Sequence, residues 1–188
     1  MLLIIFLLML VTMTVNVNGE CTCGNKTLHQ HFCDDEFVIK VVILKHKLND
    51  EGDSGRKYIT YVLNNYKENN ELMPWDYLEL FTNSTNSTCG VTLQPSHHYI
   101  LGGMYDSEGK HWISQCNLVV VGMDIPCSTD DYNNCNCKII YEKCKTSKCP
   151  SEKDSCTYNP KENEHLTDAC LRNKITGTCQ WKTCPAAK

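Results

Sequence analysis

Between residues 36 and 121 the chain alternates short apolar runs with polar turn sequences. Segments such as NDEGDSGR and YDSEGK separate the runs, which are FVIKVVILK, YITYVLNNY, DYLELF, HYILGGM, HWIS and NLVVV. Short runs rich in Val, Ile, Tyr and Phe and bounded by Gly, Asn and Asp are typical of β-strands. The pattern predicts a small antiparallel barrel or sandwich, because helical periodicity is weak throughout this part.

The residues after Cys135 follow a different pattern, with few large apolar side chains and seven of the 14 cysteines. Such a segment cannot bury enough apolar surface to fold on that basis alone, so disulfides must stabilise it. We therefore expect a first domain over residues 21–135 and a smaller, disulfide-rich domain over residues 136–188. Residues 160–173, which begin with Pro160, are predicted to form a short helix.

The chain starts with an apolar run, LLIIFLLMLVTMTV over residues 2–15, followed by small polar residues. The run is shorter than the ~20 residues that span a bilayer and is typical of a secretory signal. An uncleaved membrane anchor is the alternative, because no Lys or Arg precedes the run. We predict a signal peptide over residues 1–20, or over 1–19 if cleavage follows Gly19, and a secreted, extracellular product without a membrane span.

Composition narrows the class of protein further. The formal net charge is −4 and acidic and basic residues are interleaved, so the chain has no basic stripe that would track phosphates, and we expect no nucleic-acid partner. A cysteine content this high in a secreted chain indicates a disulfide framework. Sequons for N-glycosylation begin at Asn25, Asn83 and Asn86, which agrees with passage through the secretory pathway.

The cysteines divide into two odd sets, one on each side of residue 136. The first set is Cys21, Cys23, Cys33, Cys89, Cys116, Cys127 and Cys135, and the second is Cys137, Cys144, Cys149, Cys156, Cys170, Cys179 and Cys184. If all of them are paired, at least one bridge must join the two halves. Spacing alone leaves the connectivity open.

A series of motifs resembles a known family in order and approximate spacing. They are Cys21-Thr22-Cys23, Cys33, Val38-Ile39-Lys40, Cys89-Gly90-Val91, Tyr99 to Gly103, His111 to Cys116, Cys135-Asn136-Cys137 and Cys179-Gln180-Trp181. This register is similar to that of the tissue inhibitors of metalloproteinases. The resemblance covers essentially the whole mature chain. It implies a mainly β fold, an OB-like (netrin-like) five-stranded barrel followed by a small disulfide-rich C-terminal domain.

The resemblance also implies a set of disulfide bridges. They are Cys21 to Cys89, Cys23 to Cys116, Cys33 to Cys135, Cys137 to Cys179, Cys144 to Cys149, and Cys156 to Cys170. Cys127 and Cys184 have no counterpart in the usual pattern. Because one falls in each half, we predict that they pair with each other.

The function implied is that of a secreted, monomeric inhibitor of matrix-metalloproteinase-like zinc endopeptidases, which is not an enzyme. It would need no cofactor of its own and would bind the target's zinc in trans, through the amine and carbonyl of Cys21. Thr22 would enter the specificity pocket. We call the contact residues the inhibitory ridge: Cys21, Thr22, Cys23, Gly24, Asn86, Ser87, Thr88, Cys89 and Gly90.

Two features bear on this mechanism. The signal rule favours a mature chain that begins at Glu20, whereas the resemblance favours Cys21. An added Glu20 would turn the amine into an amide, a poor metal ligand. Glycans on Asn25, Asn83 or Asn86 would crowd the ridge.

The histidines could suggest a metal site of the chain's own. The histidines at positions 29, 31, 97, 98 and 111 match no zinc-ligand spacing, so we expect them on the surface or in strands.

The alternative function is a non-inhibitory, netrin-like binding module that acts on a receptor, a matrix component or a host protein. Both functions share the same framework, so the scaffold does not separate them.

Overall fold

A six-stranded sheet forms the first part of the molecule. The computed structural model describes residues 21–48, 55–67, 72–83, 89–122, 124–141, 151–159, 161 and 165–185, so the predicted signal peptide lies outside it. The strands are β1 (Phe37–Leu48), β2 (Gly55–Lys67), β3 (Tyr77–Asn83), β4 (His98–Tyr105), β5 (His111–Trp112) and β6 (Val119–Val121). Each of the six apolar runs in the sequence therefore contributes a strand.

The sheet closes on itself. Its strand order is β1-β2-β3-β5-β4-β6, and β1 also pairs with β4, so the first five of these form a ring and β6 extends from β4. The pairings are antiparallel except for β3 with β5. The predicted five-stranded barrel is confirmed.

Strand β1 pairs with β2 on one side and with β4 on the other, and its pairing with β2 is irregular. Its register with β2 shifts at three places along Phe37–Leu48, and such bulges bend and coil a strand as barrel closure requires. Its alternating residues Phe37, Ile39, Val41 and Ile43 are fully buried in the barrel core. Because successive side chains of a strand point to opposite faces, these four residues share the face that lines the core.

Strand β4 approaches the beginning of β1 at two glycines. A Cβ atom on Gly103 would overlap the Trp112 carbonyl oxygen and the Phe37 ring, and one on Gly102 would overlap the Asp35 carboxylate. Gly102 and Gly103 pair directly with Val38 and Phe37. The packing of Asp35, Phe37 and the Trp112 carbonyl against β4 therefore depends on the absence of side chains here.

Two short helices cover one side of the barrel. Helix α1 is Leu28–Asp34, and its N-cap is Thr27, whose hydroxyl accepts from the Gln30 N–H. Helix α2 is Thr129–Tyr132. The rings of Phe32 and Tyr132 stack with centroids 4.9 Å apart. They lie in a second apolar cluster that includes Ala169 and Cys184, so both halves of the chain contribute to it.

Lys67 fixes the end of α1. Its ammonium group donates to the carbonyls of Phe32 and Asp35, which are left without helical partners at a C-terminus. Burial lowers the pKa of Lys67, although the nearby Asp35 and Asp34 carboxylates oppose that shift. A cation at this end of a helix is also favoured by the helix dipole.

The C-terminal part contains two small sheets. Strands β7 (Lys138–Tyr141) and β8 (Ser155–Tyr158) are parallel, and β9 (Ala169–Arg172) and β10 (Cys179–Lys182) form an antiparallel hairpin. A single 3-10 turn covers Glu152–Asp154. The predicted helix over residues 160–173 is wrong where it can be checked, because residues 169–172 are a strand whose Cys170 is bridged to Cys156. Pairing with β10 outweighs the weak local helical preference.

His29 lies at the junction of the two halves and is fully buried in α1. Its Nδ1 accepts from the Cys170 N–H at 2.7 Å, so Nε2 carries the proton and donates to the Asn134 carbonyl at 3.2 Å. The expectation of a surface or strand position is wrong for this histidine. It serves as a neutral link between α1, β9 and the residues after α2.

Substituting Gly103 with Ala tests the closure of the barrel. Because the added methyl meets a backbone carbonyl and a core ring, we expect a loss of about 2 kcal/mol or more in the free energy of unfolding, or about 4–8 °C in Tm. Urea unfolding at unchanged m-value would measure this loss. Gly24→Ala is the matched control, since no atom lies within 4 Å of its added Cβ. Equal stability of the two variants would contradict the steric account.

The state of His29 predicts how stability depends on pH. Burial lowers its pKa below the ordinary 6.5, despite opposing effects of the Asn134 carbonyl and Asp131. The unfolded chain then takes up the proton first as pH falls, so the stability that neutral His29 contributes is full above about 6.5 and is lost below it. We expect the urea midpoint of the whole chain to decrease between pH 7 and pH 5.

Replacing His29 with Asn isolates this contribution. The Asn oxygen can accept from the Cys170 N–H but does not titrate, so the variant should be less stable at pH 7.5 and show a flatter pH profile. The exposed His97→Asn variant should keep the wild-type profile. A His29→Asn profile as steep as the wild type would assign the pH dependence to other groups.

Candidate functional site

Six disulfide bridges connect the described residues. They are Cys21–Cys89, Cys23–Cys116, Cys33–Cys135, Cys127–Cys184, Cys137–Cys179 and Cys156–Cys170. These are the pairings that the family resemblance implies, together with the bridge expected from the odd number of cysteines in each half. Cys127–Cys184 is the one that joins the halves. The predicted bridge between Cys144 and Cys149 lies outside the described residues.

Two of these bridges meet at the start of the inhibitory ridge. The sulfur of Cys21 lies 3.3 Å from that of Cys23 and 3.6 Å from that of Cys116, although each belongs to a different bridge from Cys21. Thr22, between the two clamped cysteines, is exposed, as is Gly24. The arrangement holds the exposed Thr22 side chain on a short segment whose two neighbouring residues are both attached to the barrel by bridges.

The second part of the ridge follows β3. Cys89 has a φ of 72°, a left-handed conformation that is rare for residues other than glycine, and Gly90 after it is buried. The Thr82 hydroxyl accepts from the Val91 N–H at 3.0 Å. Such a conformation persists where neighbouring contacts hold it in place. The predicted contact residues Asn86, Ser87 and Thr88 lie outside the described residues.

Tyr58 supports this segment from inside the barrel. Its hydroxyl donates to the Val91 carbonyl and accepts from the Leu93 N–H, both at 3.0 Å. The side chain is only 1% exposed, so it supplies the backbone of residues 91–93 with partners that water would otherwise provide. Residues 91–93 are therefore tied to β2 without forming a strand.

A turn over residues 114–117 contacts both parts of the ridge. It carries Cys116, which is bridged to Cys23. Its Gln115 donates to the Cys89 carbonyl from the main chain at 3.0 Å and to the Gly90 carbonyl from the side chain at 2.8 Å. We call residues 114–117 the bridging turn. Nothing in the sequence analysis singled out Gln115, although the pattern Ser-x-x-Asn at 114–117 is typical of a side-chain-stabilised turn.

The segment after the ridge is held by polar contacts. Lys26 forms a 2.7 Å ion pair with Asp34 of α1, and the Tyr141 hydroxyl donates to the Asn25 carbonyl. The side chains of Asn25 and of Asn83 are exposed, so both asparagines are accessible. The third sequon begins at Asn86, outside the described residues.

Two groups of potential metal ligands occur among the described residues. One is the four sulfurs of the contacting bridges, and the other combines His29 with Cys33 and Cys135. All of these cysteines are in disulfides, and both ring nitrogens of His29 have hydrogen-bond partners. Disulfide formation therefore explains both groups. Of the other histidines, His97 and His98 are exposed and His111 is buried in β5, as expected, whereas His31 is half-buried in α1, where the expectation of a surface or strand position is wrong.

Comparison with known proteins places this arrangement in context. The sequence model of the family described as tissue inhibitor of metalloproteinase matches residues 19–181. The chain is 30% identical over 117 residues to metalloproteinase inhibitor 3 of Xenopus laevis, covering 61% of this chain and 52% of that protein. It is 30% identical over 135 residues to metalloproteinase inhibitor 4 of Mus musculus, covering 64% and 60%.

A longer alignment joins the chain to metalloproteinase inhibitor 3 of Scyliorhinus torazame. The two are 27% identical over 184 residues, which cover 88% of this chain and 82% of that protein. The chain thus spans between about half and four fifths of the length of these three relatives. Within the described ranges, no helix is long and apolar enough to cross a membrane.

Proposed function

The chain belongs to the tissue inhibitor of metalloproteinase family, and on that premise we propose that it is a secreted protein inhibitor of zinc metalloendopeptidases. Members of the family are inhibitors and not enzymes. The partners proposed are proteases similar to the matrix metalloproteinases, bound by one copy of this chain. The inhibitor needs no cofactor of its own in this mechanism.

The chemistry proposed acts on the zinc of the target. A catalytic zinc in such a protease keeps one coordination position for the water that attacks the substrate. The α-amino nitrogen and the carbonyl oxygen of Cys21 can bind that zinc as a five-membered chelate and displace the water. An α-amine with an ordinary pKa of ~7.7–8.0 loses its proton to a metal at modest cost.

The observation that carries the proposal is the exposed Thr22 between two bridges in contact. Because Cys21 and Cys23 are both attached to the barrel, little backbone freedom remains to be lost on binding. The chelating atoms of Cys21 and the side chain of Thr22 then approach a protease cleft as one unit. Thr22 is proposed to fill the specificity pocket beside the zinc.

The start of the mature chain provides the test of chelation. We expect a protein that begins at Cys21 to inhibit the catalytic domain of a matrix metalloproteinase stoichiometrically. A protein that begins at Glu20 should inhibit at least about 100-fold more weakly, equivalent to roughly 3 kcal/mol in binding free energy. In this form the Cys21 nitrogen belongs to a peptide bond and is a poor metal ligand. Active-site titration with a fluorogenic peptide, on samples of verified intact mass, measures the difference.

Equal unfolding curves for the two proteins would show that the extra residue changes binding and not folding. Stoichiometric inhibition by the form that begins at Glu20 would overturn the chelation mechanism. A form that begins at Cys21, is folded and does not inhibit would favour the alternative of a non-inhibitory binding module.

Replacing Thr22 with Gly tests the pocket contact. Removing a side chain that becomes buried in a pocket should weaken inhibition by about 10-fold, while stability stays unchanged because Thr22 is exposed in the free protein. The exposed Thr92 provides a matched Thr→Gly control on the surface beyond Gly90. An unchanged inhibition constant for Thr22→Gly would place the contact elsewhere on the ridge.

A further inference from the structure

Asp35 is a buried carboxylate that points at the bridging turn. It follows α1, is 2% exposed and packs directly on Gly102. One of its oxygens accepts from the Asn117 side-chain N–H at 2.8 Å, and the other accepts from the Leu118 backbone N–H at 3.0 Å. A buried carboxylate is costly unless donors satisfy it, and here one donor, Asn117, is the last residue of the bridging turn and the other, Leu118, directly follows it. The His31 ring also lies 3.4 Å from the carboxylate.

The side-chain amide of Asn117 connects the Asp35 carboxylate to the first residue of the turn, Ser114. Its nitrogen donates to Asp35, so its oxygen faces the other way and accepts from the Ser114 backbone N–H at 3.1 Å and the Ser114 hydroxyl at 2.7 Å. That hydroxyl in turn accepts from the Cys116 N–H at 3.3 Å. The orientation of the turn is therefore set from its first residue to its last by a connected network.

The bridging turn is also the element that contacts both parts of the ridge. Cys116 fixes Cys23 by a covalent bond, and Gln115 holds the carbonyls of Cys89 and Gly90. A shift or rotation of the turn would therefore move the segment with Thr22 relative to the segment with Cys89. No other described contact joins Asp35 to the ridge as directly.

We propose that Asp35, acting through Asn117, is the positioning residue of the inhibitory ridge. The proposal rests on the inhibitory function for its consequence in binding. A disulfide limits the distance between two segments but permits rotation about its bonds. The Asp35–Asn117 pair supplies the orientation that the bridges leave open, and a ridge held in its bound geometry binds with less loss of entropy.

The variants follow from the donor pattern. Asn117→Ala removes the link and leaves the Leu118 N–H bonded to Asp35. In Asp35→Asn, the new amide oxygen can still accept from the Leu118 N–H. The new amide N–H then faces the side-chain N–H of Asn117, so two donors meet without an acceptor. The exchanged pair Asp35→Asn with Asn117→Asp restores the hydrogen bonds of this network, because the new amide at position 35 then donates to the carboxylate at position 117, which still accepts from Ser114. The 3.4 Å contact between the Asp35 carboxylate and the His31 ring is lost in both variants at position 35 and is kept in Asn117→Ala.

Two measurements distinguish positioning from general stabilisation. The first is the inhibition constant per folded molecule, obtained by active-site titration of the form that begins at Cys21. The second is amide hydrogen exchange, followed by NMR, of the Gln115 N–H that bonds to the Cys89 carbonyl. We expect about 10-fold weaker inhibition and about 10-fold faster Gln115 exchange in each single variant, and recovery to within about 3-fold in the exchanged pair.

The exposed Asp130→Asn variant is the control for loss of a carboxylate and should match the wild type in both measurements. Single variants that unfold at lower temperature but keep the wild-type inhibition constant and Gln115 exchange would overturn the proposal in favour of a purely structural role. An exchanged pair that recovers neither the inhibition constant nor the Gln115 exchange rate would also overturn the proposal.

Failure of the proposed function remains distinguishable. If the wild type does not inhibit, the inhibitory function falls, and the exchange of Gln115 across the variants still decides whether Asp35 positions the ridge. If the wild type inhibits and the single variants inhibit equally well, the positioning role falls and the function stands.

Discussion

The close contact of β4 with the beginning of β1 is the constraint on which the other parts of the structure depend. At Gly103 it lets Phe37 enter the barrel core, and at Gly102 it lets the Asp35 carboxylate lie against the sheet. The first contact closes the barrel, and the second brings a buried charge within reach of the bridging turn. Fold and candidate site therefore share one steric requirement, the absence of two side chains on adjacent residues.

Covalent and non-covalent contacts have different effects at the ridge. The Cys21–Cys89 and Cys23–Cys116 bridges close loops of 68 and 93 residues, so they chiefly restrict the unfolded chain. Hydrogen bonds that involve the side chains of Tyr58, Thr82 and Gln115 act on the folded state, where they fix the direction of individual carbonyls and N–H groups. A binding surface needs both, because chelation of a metal depends on direction as well as distance.

The sequence predicted the framework better than the details of the site. The β-rich apolar run FVIKVVILK indicates β1, and the odd numbers of cysteines require a bridge such as Cys127–Cys184 between the halves if all are paired. Residues 169–172 were mistaken for helix because long-range pairing and the Cys156–Cys170 bridge are not visible in local composition. Asp35 gave no signal for the same reason, since its donors lie more than 80 residues away along the chain.

Cys21 has two functions in the proposed mechanism, and they depend on different atoms. Its sulfur belongs to the framework and bonds to Cys89, whereas its nitrogen and carbonyl oxygen would bind the zinc of the target. A substitution of Cys21 would remove both functions together, so its effect on inhibition could not be assigned to either. An added residue before Cys21 leaves the sulfur and its bridge intact and changes only the nitrogen. In the proposed mechanism, folding of this chain and inhibition would therefore be separable at one peptide bond, and proteolytic processing, not folding, would determine whether the ridge can bind zinc.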